Sequence, residues 1–85
     1  MRAERAMFRT GLRLYIEAAF AARRNPGLLC QLERAQAHGW DRCPRCGMRL
    51  GLEGYRRTET RFMCEEIMVC ARCGARHVIE CECVH

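Results

Sequence analysis

Apolar residues in the first third of the chain recur at helical spacing. Phe8, Leu12, Tyr15, Ile16, Ala19 and Phe20 follow the i, i+4, i+7, i+8 pattern of one helix face, with Arg9, Arg13 and Glu17 on the polar flank. Arg5 falls nearer the apolar side and blurs the first turn. The periodicity predicts a helix over 4–24 that ends on Arg23 and Arg24, where cations offset the helix dipole. Asn25-Pro26-Gly27 then interrupts it. Asn25 can cap a second helix with Pro26 at its first position, and Gly39 can end that helix. Leu28, Leu29, Leu32 and Ala35 supply its apolar side, so residues 1–39 read as a helical hairpin arm.

From Trp40 the pattern changes to short β-prone runs between glycine-containing turns. Residues 48–57, 60–69 and 75–84 each read as a strand of an antiparallel sheet, so residues 40–85 form a second module. No internal repeat appears beyond two cysteine knuckles, and no segment is of low complexity.

At 85 residues a hydrophobic core alone is marginal, and a chain of this size usually carries a staple. Its eight cysteines offer either disulfides or a metal as the staple, and the redox compartment decides between them. A secretory apolar stretch runs about 7–15 residues without charge. Arg9, Arg13 and Glu17 interrupt every candidate. An Arg-rich mitochondrial presequence is contradicted by Glu4, Glu17 and the absence of serine. No window approaches the roughly 18 apolar residues of a membrane span. These features point to a cytoplasmic protein, of a prokaryote or a virus-infected cell, and therefore to metal ligation by reduced thiols.

"CPRCG" at 43–47 and "CARCG" at 70–74 are one device used twice. Two thiolates separated by two residues grip one ion in a tight turn, and the following glycine permits the backbone conformation that turn needs. The 23 residues between Cys46 and Cys70 suffice for a hairpin out and back. Cys43, Cys46, Cys70 and Cys73 are thus the expected ligands of one structural Zn²⁺, with iron the alternative for a sulfur-only site.

With these knuckles the chain resembles the zinc-ribbon class, and in particular small prokaryotic or phage zinc-ribbon regulators. The resemblance covers 43 to about 80, roughly half the chain. It implies a small α+β metal-bound domain: an N-terminal helical hairpin followed by a two- to three-stranded antiparallel zinc ribbon. Many ribbons belong to transcription and translation factors, while others only hold parts of an enzyme together. A closed four-thiolate site leaves no coordination position for a reactive water, and no nucleophile, paired-carboxylate, phosphate-loop or dinucleotide motif appears elsewhere. No enzymatic activity and no small-molecule substrate are expected.

The remaining ligand types are weighed against packing. Cys30, among leucines, reads as a small core residue, and His38 as a polar residue at a helix end. His77 follows Cys73 by four residues and can substitute for a ligand, but the set is already full. The tail "ECECVH" carries Cys81, Cys83 and His85 at every second position. Strict alternation sets His77, Ile79, Cys81 and Cys83 on one face. A register bringing Cys64 beside Cys81 or Cys83 assembles Cys64, Cys81, Cys83 and His85 as a second metal site. Thiols two apart on an extended strand, however, are about 6–7 Å apart. That exceeds the roughly 3.7–3.9 Å edge of a tetrahedral thiolate site. A packed strand end is the expectation.

Charge supplies the functional readings. All 15 basic residues are arginine, against ten acids. Residues 43–63 carry five arginines and two glutamates, residues 64–85 two arginines and four glutamates. Arg42, Arg45 and Arg49 lie around the first knuckle, and Arg56, Arg57 and Arg61 are expected at the hairpin tip, with Tyr55 able to stack on an unpaired base. The first reading is a small regulator of transcription that binds nucleic acid, or a transcription-complex protein, through this basic ribbon. The second is a protein–protein adaptor whose helical arm forms a homodimer or docks a partner through Phe8, Leu12, Tyr15, Ile16 and Phe20. No membrane partner is expected.

Overall fold

The computed structural model describes the backbone of residues 2–83 and the side chains of residues 8–81. It contains two helices and a three-stranded antiparallel sheet, divided into two units, Met1–Arg42 and Cys43–His85.

In the first unit, helix α1 (Arg2–Arg24) packs against helix α2 (Leu29–Ala37). The stripe read from periodicity faces inward: Leu12 is fully buried, and Tyr15, Ile16 and Ala19 are buried with it. The connection is tighter than a plain capped helix. Asn25 Oδ1 accepts the Gly27 N–H at 3.0 Å and so caps a single 3₁₀ turn, Pro26–Leu28, ahead of α2. On α2 only Ala35 is buried, Leu28 and Leu32 are half-buried, and Leu29 is exposed. Cys30 is exposed rather than a core residue, because the inward row of a helix at 28, 32 and 35 turns position 30 to the opposite side.

Gly39 closes α2 at φ 74°, donating to the Gln36 carbonyl, while Trp40 N–H reaches back to Ala35. This brings the Trp40 indole onto α1 at Gly11, with the His38 ring stacked on it at 4.6 Å. Trp40 therefore belongs with the helices, whose unit runs to Arg42, three residues past the boundary that composition suggests. Among the described residues no helix is long and apolar enough to cross a membrane.

In the second unit, strands β1 (Tyr55–Glu59), β2 (Met63–Val69) and β3 (Arg76–Cys83) form a sheet in that order. The segment expected to be a strand over 48–57 becomes strand only at Tyr55. A 3₁₀ turn, Leu52–Gly54, precedes it, and any side chain at Gly54 would run into the Val69 carbonyl. β2 is central: Tyr55 pairs with Met68 and Glu59 with Cys64 on one side, Val69 with Arg76 and Met63 with Cys83 on the other. Its core is small: Leu50, Ile67, Met68 and Ile79, joined by Cys43 and Cys70.

The β2–β3 register breaks once. Glu66 pairs with Glu80 and Ile67 with Val78, leaving Ile79 as a bulge. Strict alternation along β3 therefore fails at Ile79. His77 shares the Met68 and Glu80 face, and Cys81 lies on the other.

The Trp40–Gly11 contact yields a stability prediction. A Cβ at position 11 would lie 2.7 Å from Trp40 Cδ1. Replacing glycine by alanine inside a helix gains about 1 kcal/mol of propensity, whereas overpacking a ring costs about 1–3 kcal/mol. Gly11→Ala is expected to lower the melting temperature; a raised one would show that the indole has room to move.

Candidate metal centre

Both CxxCG segments fold into the same turn. Cys43 N–H donates to the Met48 carbonyl and Gly47 N–H to the Cys43 carbonyl, each at 2.8 Å. In the second turn Cys70 N–H donates to Ala75 and Gly74 N–H to Cys70, each at 2.9 Å. Gly47 and Gly74 take φ of 79° and 75°, a left-handed backbone that glycine adopts without steric cost.

The sheet brings the two turns side by side. Cys43 Sγ lies 3.7 Å from Cys73 Sγ, Cys46 Sγ 3.5 Å from Cys70 Sγ, and all four sulfurs lie within 4.8 Å of one another. Cys43 and Cys70 are buried, Cys46 and Cys73 partly exposed. A tetrahedral site with metal–sulfur bonds near 2.3 Å has sulfur–sulfur edges of about 3.7–3.8 Å. The four thiols fit those dimensions and could hold one metal ion. The four donors would fill a four-coordinate ion and leave no position for water or substrate.

Electrostatics inside the cluster lead to the same donor chemistry. Cys70 is lowered to about 6, because the backbone N–H groups of Cys73 and Arg72 donate to its sulfur. At Cys46 the Met48 N–H also favours the thiolate, but burial and the thiols of Cys70, Cys73 and Cys43 outweigh it and push the group up to about 11. Four sulfurs this close cannot all ionise in the absence of a cation. A bound dication supplies the positive charge that lets all four serve as thiolates.

One neighbour was underrated by spacing alone. His77 Nε2 stands 3.4 Å from Cys43 Sγ, yet the ring is not one of the mutually close ligand groups. As the Nε2–H tautomer it donates to the sulfur. Burial lowers its pKa, favouring the neutral ring. Its place is beside a ligand, not in the ligand's position.

The tail set is not gathered among the described residues. Cys64 pairs with Glu82 and Cys81 with Glu65, so Cys64 and Cys81 lie on opposite faces of the sheet. Cys83 pairs through its backbone with Met63; its side chain and all of His85 lie outside the described residues.

The arginines are distributed differently from the tip cluster expected from sequence. Tyr55 and Arg56 open β1 near the knuckles, opposite Met68 and Ile67. Tyr55 is half-buried, with burial, then Glu66, raising its pKa. Arg56 Nη1 donates to the carbonyls of Glu53 and Tyr55, at 2.6 and 2.9 Å. Arg57 sits mid-strand opposite Glu66, and its pKa is raised first by a hydrogen bond to Cys64, then by the charges of Cys64, Glu59 and Glu66. The turn itself carries Arg61 and an exposed Phe62, held by Thr60 Oγ1, which accepts the Met63 N–H at 3.1 Å. Arg45 and Arg49, by contrast, are exposed beside the first knuckle, and so are Arg72 and Arg76 beside the second.

The last two were missed by sequence reasoning although the signal was present. "CPRCGMR" and "CARCGAR" repeat Cys-x-Arg-Cys-Gly-x-Arg, arginines included. No protein-family model matches the chain, and neither a curated protein nor a solved structure matches it.

Titration of the reduced chain with Co²⁺ is expected to saturate at one equivalent with a thiolate charge-transfer band; two equivalents would revive the tail site. His77→Ala is expected to weaken metal binding about tenfold, the scale of an outer-shell contact. Unchanged affinity and band position would show that the imidazole does not act on Cys43.

Proposed function

We propose that the chain is a small, non-enzymatic zinc-ribbon regulator. One structural Zn²⁺, held by Cys43, Cys46, Cys70 and Cys73, orders a basic surface that binds nucleic acid in the transcription machinery. Zinc suits the site because a tetrahedral set of four thiolates is its preferred structural environment, and the closed shell leaves it no catalytic task.

The observation that carries the reading is the uneven charge of the ribbon. The half nearest the knuckles holds Arg45, Arg49, Arg56, Arg72 and Arg76 against Glu53 alone. The half toward the β1–β2 turn holds Arg57 and Arg61 against Glu59, Glu65, Glu66, Glu80 and Glu82. A polyanion meets attraction at one end and repulsion at the other, which steers it to the metal-bearing end.

The adaptor reading has one observation of its own. Leu14 is exposed on α1 and edges a cleft of about 260 Å³ with Ala18, Gln31, Arg34, Ala35 and Trp40. An apolar side chain of a partner protein would enter it. In the α1 stripe Leu12, Tyr15 and Ile16 are already buried within the single chain and Phe8 and Phe20 half-buried, which weakens the case for a homodimer through that stripe.

Salt separates the two. Fluorescence anisotropy of the zinc-loaded chain with labelled single- and double-stranded DNA and RNA should show affinity falling steeply as salt rises, since phosphate contacts release counterions. Absence of binding to every probe at low salt would sink the nucleic-acid reading and favour the adaptor.

A further inference from the structure

Building on the nucleic-acid reading, we infer that the phosphate-binding surface is the metal end of the ribbon. It is formed by two equivalent arginine pairs, Arg45 with Arg49 and Arg72 with Arg76, that the paired knuckles bring together. The twin turns make the same two backbone hydrogen bonds and share the same glycine conformation. Arg45 and Arg72 each directly precede the second cysteine of a knuckle. Arg49 and Arg76 each follow the residue whose carbonyl closes the turn. Equivalent backbone therefore carries exposed arginines at matching positions of both knuckles.

Three features favour a phosphodiester backbone as the ligand. All four side chains are exposed, and among the described residues none has a carboxylate partner, whereas Arg57 is engaged by Glu59 at 3.6 Å and Glu66 at 3.9 Å. Guanidinium groups bind phosphate oxygens in a bidentate fork, and four unpaired ones concentrate more positive charge here than elsewhere on the ribbon. A duplicated pair also matches a ligand whose charges recur at fixed spacing, as phosphates do along a strand. An acidic protein patch has no such period.

The arrangement makes phosphate binding depend on the metal. Each pair rides on its own knuckle, and the two knuckles are far apart in sequence. Without an ion at the sulfurs only the sheet and its thin core hold one pair against the other.

The test uses the full zinc-loaded chain and a short labelled DNA duplex, its single strands and the matching RNA. Arg45, Arg49, Arg72 and Arg76 are replaced together by Gln, and compared with a control replacing Arg57 and Arg61, toward the β1–β2 turn, by Gln. Metal stoichiometry and melting temperature verify that both variants are folded. The quadruple variant is expected to flatten the slope of log affinity against log salt by about 3–4 units on duplex, 0.9 for each lost contact. The control should stay within a few-fold of the parent. If the parent binds and the quadruple variant keeps its affinity and slope, the inference falls while the nucleic-acid reading stands. Equal losses in both variants would also overturn it, because net charge alone would then explain binding. A parent that binds no probe overturns the inference and the reading together. Metal removal should abolish binding; a metal-free chain that binds as tightly would refute the coupling.

Discussion

Four sulfur atoms within 4.8 Å of one another are a liability in a chain without a cation. Backbone amides favour thiolate at Cys70, while burial and the neighbouring thiols oppose it at Cys46, so without a cation the cluster keeps protons that a metal would displace. One dication would let all four serve as thiolates, and the rest of the second unit offers little else to hold it together. Among the described residues, Leu50, Ile67, Met68 and Ile79 form nearly all of that unit's apolar interior beside the cysteines. A module of this size with so thin a core lies in the range where a metal or disulfide ordinarily supplies the missing stability. The sheet places the two knuckles; an ion between them would hold the sheet.

The same constraint orders the surface. A turn that directs two sulfurs inward leaves the residues between them, Pro44 and Arg45 or Ala71 and Arg72, exposed. Using the turn twice therefore yields two matching positions directly before the second cysteine. Here both are arginine, and both are followed four residues later by another. His77 belongs to this arrangement on the inner side, contacting Cys43 from a strand that also carries Arg76. In the proposed function the knuckles would thus hold the ion and display the charge.

Much of this was legible in the sequence, and the failures have identifiable physical causes. Helical periodicity over Leu12, Tyr15, Ile16 and Ala19 gave the buried face, because α1 is long enough for the pattern to dominate its irregular first turn. CxxCG spacing identified the four clustered thiols, since a tight turn leaves little freedom between its cysteines. Three things depended on register, which local pattern does not carry. The bulge at Ile79 reversed the facing of β3 beyond it, parting Cys81 from Cys64's face. The 3₁₀ turn at Leu52–Gly54 delayed β1, so Arg56 and Arg57 lie on the strand and not at its turn. Counting charge by segment separated Arg72 and Arg76 from Arg45 and Arg49 and assigned them to an acidic tail. Folding reunites them around the sulfurs.

The central claim is that an ion at these four sulfurs holds the ribbon together, and amide hydrogen exchange tests it most directly. The full chain would be stripped of metal by a chelator under reducing conditions, verified by elemental analysis, and compared with the zinc-loaded form. The account predicts that Ile67, Met68 and Ile79 lose their protection on stripping and regain it with one equivalent of Zn²⁺, because metal binding and folding are coupled. Equal protection of those amides in the verified metal-free chain would contradict it, leaving the thiol cluster a passenger on a sheet that folds without it.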